Sequence, residues 1–121
     1  MYHAIKQHPD ELKEKARAAA TILGAAKQAA IRISYTKFLT RLKKKAADNT
    51  LSEKGLAGLA FLEYARIACP TDSALVEFLL FSWMQVAKSM NAGALTMENE
   101  AVSDTVVGVF MFAGIKLKVT H

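Results

Sequence analysis

Residues 69–91 read CPTDSALVEFLLFSWMQVAKSMN, and the reading of this stretch decides the fold. Pro70 has no amide hydrogen to give, so it ends the segment before it. Thr71, Asp72 and Ser73 then present side-chain oxygens to the open N–H groups of a new helix. From Ala74 to Ala87 only Glu77, Ser82 and Gln85 are polar. At about 100° per residue, Glu77, Gln85 and Lys88 share one narrow stripe and every other direction is apolar. A helix apolar on nearly all sides is a buried one. Leu75, Phe78, Leu79, Phe81, Trp83 and their apolar neighbours each gain about 1.5–3 kcal/mol on leaving water. The sequence therefore predicts an all-α, single-domain bundle, with four to five helices wrapped around a central apolar helix at about residues 71–90.

Working outward, Thr50-Leu51-Ser52-Glu53 has capping-box spacing, with Glu53 three residues after Thr50. A helix should follow to Ala68, carrying Leu56, Leu59, Ala60, Phe61, Leu62, Tyr64 and Ile67. Gly55 and Gly58 weaken it locally and let a neighbour come close. Beyond the central helix, which should close around Asn91–Gly93, a last segment runs from Met97 to about Leu117. It sets Ala101, Val102, Val106, Val109, Phe110, Ala113 and Leu117 on one helical face. Its valines and the alternation of Ile115–Val119 also suit a strand over 105–119. A lone strand would have no partner in a helical chain, so helix is the reading.

On the other side, residues 1–8 read as a flexible arm. Pro9 suits a first helical position, and Asp10, Glu11 and Glu14 complement the positive end of a helix. Leu12, Ala16, Ala19, Leu23, Ala26, Ala30 and Ile33 alternate steps of four and three, a heptad-type seam whose alanines permit close helix contact. From Ile31 the apolar face shifts to Ile31, Tyr35, Phe38 and Leu42. As one straight helix, residues 9–47 would measure about 58 Å, against roughly 35 Å across a compact domain of this length. The helix must overhang or bend. The seam runs on through Gly24, so a bend is expected at 31–35, and an overhang would offer the seam to a second copy.

The chain of 121 residues is 52% hydrophobic and 22% charged, which excludes disorder. One cysteine permits no internal disulfide, and MYHAIKQHPD has no apolar signal core, so a cytoplasmic location is expected. The apolar runs Ala74–Ala87 and Val106–Leu117 would span about 21 and 18 Å, short of the roughly 30 Å of a bilayer core. That argues against a membrane span. Net charge is +5 but uneven: residues 1–45 hold eleven Lys/Arg against Asp10, Glu11 and Glu14, while the rest of the chain is acidic by three. This asymmetry is the main functional signal.

Nothing in the chain reads as catalysis. His3, His8 and His121 lie outside the periodic segments, and the first two are not spaced as a helical metal pair. Cys69 has no histidine in an ordered segment to act as its base and reads as a small buried filler. Glu98, Glu100 and Asp104 complement a helix start. Phosphate-binding and nucleophile-elbow motifs are absent from the sequence. No enzyme, cofactor or metal is expected. Lys27, Ser34, Lys37, Arg41, Lys44 and Lys45 fall within about 100° around an ideal helix. Five such cations on phosphates would give a log–log salt slope of about −4.5, though lysines at a helix end also simply complement its negative pole. Tyr35 and Phe38 flank the stripe at core spacing.

Three functional readings follow. The first is a non-enzymatic, self-associating protein-interaction module using the seam Leu12, Ala16, Ala19, Leu23, Ala26, Ala30, of a size suited to a bacterial or phage-type accessory protein. The second is a nucleic-acid-binding accessory protein using Lys27, Lys37, Arg41, Lys44 and Lys45. The third is a peripheral membrane protein that turns the same lysines toward anionic lipid.

Overall fold

A computed structural model describes residues 9–117, and these fold into four helices packed as a bundle. α1 spans Pro9–Ala47, α2 Glu53–Ala68, α3 Asp72–Asn91 and α4 Met97–Phe112. The arm expected at 1–8 lies outside the described residues, as do residues 118–121. Among the described residues there is no strand.

α1 is broken, and the break is at Gly24, not at 31–35. Gly24 takes φ 84° and ψ 167°, a region essentially closed to residues with a Cβ. The Gln28 side-chain amide donates to the Ala20 carbonyl at 2.8 Å, occupying an acceptor near the break. Residues 31–35 are regular helix, and Ile31 and Tyr35 are core. The change of face seen there is a change of neighbour. Before the break, Leu12, Ala16 and Ala20 are buried as the arm runs antiparallel to α3, with Arg17 at Glu77 (3.8 Å) and Lys13 over Phe81. After it, Tyr35 reaches α2 and Ser34 reaches α4.

Local signals set the other ends. Thr71 caps α3 by accepting from the Ala74 N–H at 3.0 Å. Ser52, not Thr50, caps α2, accepting from the Gly55 N–H at 3.1 Å. Thr50 instead finishes α1: its N–H and hydroxyl both donate to the Lys45 carbonyl, and Asn49 supplies the left-handed residue at φ 58°. α4 stops at Phe112, five residues before the expected end. Gly114 turns left-handed (φ 82°), and the N–H groups of Gly114 and Ile115 bond back to Met111 and Phe110. Ile115 and Leu117 then pack onto the core without helix or strand.

The core joins Ile31, Tyr35 and Leu39 of α1 to Leu62 and Ala65 of α2, Leu75, Val76, Leu79 and Leu80 of α3, and Val106, Val109 and Phe110 of α4. Gly58 lets α2 close on α4, where an added Cβ would stand 2.5 Å from Thr105 Oγ1. α3 is not enclosed all round. Its Phe78, Phe81, Trp83, Met84 and Val86 are half-buried, and Trp83 and Met84 line a cleft of about 580 Å³ with Leu12 and Leu95.

Candidate interaction faces

The second arm of α1 places all five predicted cations in water. Lys27, Lys37, Arg41, Lys44 and Lys45 are exposed, and among the described residues none has a carboxylate within ion-pair distance. Elsewhere Arg17, Arg32, Lys43, Lys54 and Arg66 are paired, while Lys13, Lys15, Lys88 and Lys116 likewise have no carboxylate within ion-pair distance among the described residues. Lys43, on the α2 side of the same helix, meets Glu63 at 3.4 Å, and Arg32 meets Asp72 at 3.0 Å. Lys54 holds Asp104 at 2.8 Å and Glu100 at 3.6 Å. Those two acids, noted in the sequence as a helix-start cluster, are thus engaged by α2. The hydrogen bond from Lys54 to Asp104 raises the lysine's pKa.

Ser34, the uncharged member of the predicted stripe, is buried and donates to the Val109 carbonyl. Beside it, Ala30, Ile33, Lys37, Phe112 and Ala113 line a shallow groove between α1 and the end of α4. Arg41 lies over the Phe112 ring, 5.2 Å from its centroid, and Phe38 tilts against the same ring at 5.2 Å. Ile33 and Phe112 remain 57% and 56% exposed, with Met111 exposed next to them in sequence.

The predicted seam does not form one free face. Leu12 and Ala16 are buried, and Ala19 and Leu23 are half-buried against the core. Ala26 is exposed, and Ala30 belongs to the groove just described. The heptad spacing is satisfied within the chain, chiefly by α3, so this half of the seam is closed to a second copy.

A different apolar face stands open. On α2, Leu56, Ala60, Tyr64 and Ile67 lie within about 80° of one another, opposite the buried Gly58, Leu62 and Ala65. Leu56 is 48%, Tyr64 61% and Ile67 76% exposed, and Ala60 is exposed between them. Tyr64 is steadied by the Phe78 ring at 5.7 Å, itself stacked on Phe61 at 5.6 Å. Glu63, at the edge of the face, is held by Lys43 and by Arg66 at 3.2 Å. Burial works to raise its pKa, but these two cations hold the carboxyl below its ordinary value. The sequence places these residues on α2 without separating them from the buried ones. The available signal was that α2, like α3, is apolar in almost every direction, and a four-helix bundle cannot cover both on all sides.

Two interior groups complete the electrostatics. The Tyr35 hydroxyl donates to the Leu62 carbonyl at 2.6 Å, and burial pushes its pKa up to about 12. Burial also raises the Cys69 thiol, against the opposing pull of Arg32. Among the described residues no three His, Cys, Asp or Glu side chains gather as a metal site, and no helix is long and apolar enough to cross a membrane. Comparison with known protein families, curated proteins and solved structures finds no match to this chain.

Proposed function

We propose that the protein is a non-enzymatic helical interaction module that self-associates through the outer face of α2. The supporting observation is the open stripe Leu56, Ala60, Tyr64 and Ile67, set directly opposite the side of α2 that the core occupies. A contiguous apolar helix face left in water on a folded bundle marks a contact surface. The stripe is self-complementary in size. With Ala60 at the centre, a two-fold antiparallel pairing sets Leu56 against Tyr64 of the partner subunit and Tyr64 against Leu56 of the partner subunit, as an isologous interface requires. The small Ala60 lets the two helices approach, and Glu63 is already neutralised within its own chain.

A single 16-residue helix face makes a small interface, below roughly 1,200 Å², and so a weak dimer. The test is sedimentation velocity over a concentration series. The sedimentation coefficient should rise with concentration for the wild type and stay at the monomer value for Tyr64→Glu/Ile67→Glu. A wild type that remains monomeric at the highest concentration would overturn the proposal. The unpaired cations of α1 carry a second reading, a polyanionic partner.

A further inference from the structure

We infer that the second arm of α1, together with the end of α4, is a docking surface for an anionic lipid bilayer. This builds on the reading of the basic face as a polyanion site and names the polyanion. Lys27 to Lys45 cover about 27 Å of helix, and Lys37, Arg41 and Lys44 point to the side away from α2. An anionic leaflet attracts such a row of solvated, unpaired cations.

The apolar residues decide between lipid and nucleic acid. Ile33 and Phe112 stand more than half exposed in the groove that Lys37 also lines. A phosphodiester backbone offers these side chains nothing, whereas the boundary between headgroups and acyl chains takes up isolated aliphatic and aromatic groups flanked by lysines. Base stacking needs an open ring face. The Arg41 guanidinium lies over one face of the Phe112 ring and Phe38 tilts against it, so the ring offers a stacking base at most one face. The nearest acids along α4, Glu100 and Asp104, are held by Lys54, which offsets one of their two charges.

The experiment is co-sedimentation of the full chain with vesicles of phosphatidylcholine alone and of phosphatidylcholine mixed with phosphatidylserine. Parallel mobility-shift arms use a DNA duplex and a single-stranded oligothymidine. The protein should pellet with the serine-containing vesicles only, and less so as salt rises. Lys37→Glu/Arg41→Glu should weaken partitioning at least about tenfold. Ile33→Ser/Phe112→Ser should weaken it by a similar factor, about tenfold, with no change of charge. Ile33→Ser alone, at a site clear of the core, serves if the double variant loses its helical circular dichroism. Tyr64→Glu/Ile67→Glu should pellet as the wild type does, which separates this surface from self-association. Three results would each overturn the inference: no preference for serine-containing vesicles, Ile33 variants that bind like the wild type, or tighter binding to either DNA than to vesicles.

Discussion

α2 and the second arm of α1 lie side by side, joined through the core by the Tyr35 hydroxyl on the Leu62 carbonyl, yet they turn opposite chemistries to water. Away from the core, α2 shows Leu56, Ala60, Tyr64 and Ile67, while α1 shows Lys37, Arg41 and Lys44. Both helices satisfy the bundle with one face. What each keeps on its other face is surplus to folding, and the two proposals rest on that surplus: a matching apolar helix for α2, an anionic surface for α1. The α1 seam makes the same point in reverse. Its heptad spacing resembles an interface, but α3 already covers its first half, so it is left with no surplus.

The comparison breaks most completely if the shared junction is removed. Tyr35→Ala leaves a cavity between α1 and α2 and should cost about 3–5 kcal/mol, read as a lower urea midpoint, with both outer faces lost together. Next is the contact that holds α2 against α4. Gly58→Ala forces a Cβ onto Thr105 and should cost about 1–3 kcal/mol. Gly55→Ala meets the movable side chain of Leu51, with the Ser52 hydroxyl at ordinary contact distance, and should cost less, as paired thermal melts would show. Gly24→Ala has open space around it but a backbone that only glycine adopts readily, and about 1–3 kcal/mol is expected from strain alone.

The junction also carries a pH dependence. In the unfolded chain the Tyr35 phenol loses its proton near pH 10, and in the fold only near 12. The folded state therefore keeps a proton that the unfolded state gives up. Its contribution is complete below pH 10 and falls away as pH rises toward 12. Denaturant midpoints measured across that window should drop more steeply for the wild type than for Tyr35→Phe. The smallest effects belong to the outer faces. Tyr64→Glu/Ile67→Glu and Lys37→Glu should each leave stability within about 0.5 kcal/mol, since neither face supports the fold. A large loss from either would mean that its surplus is structural after all.

Much of the helix architecture was legible because it rests on local chemistry. Pro70 with Thr71 announced α3, and the start of α4 at Met97 followed from periodicity. The misses have a common cause in what periodicity omits. A seam of side chains runs through Gly24 without recording its backbone angle, so the break was placed at the change of face. The apolar residues after Gly114 continued a plausible pattern, though the backbone had already turned left-handed. For the candidate sites, the cations were readable since charge keeps lysine in water wherever its helix packs. The α2 face was not, because Leu56 and Tyr64 look like core until the number of neighbouring helices is known. Ile33 and Phe112 were hidden for the same reason.

The central claim is that the outer face of α2 meets the same face of a second copy, and cysteine cross-linking at its centre tests this most directly. Cys69 is buried, so the wild type provides the background. Under mild oxidation of the native protein, Ala60→Cys should be trapped as a disulfide-linked dimer, while Arg41→Cys on the basic side stays monomeric. Equal trapping at both positions, or none at residue 60 at concentrations where the protein sediments as a dimer, would contradict the account.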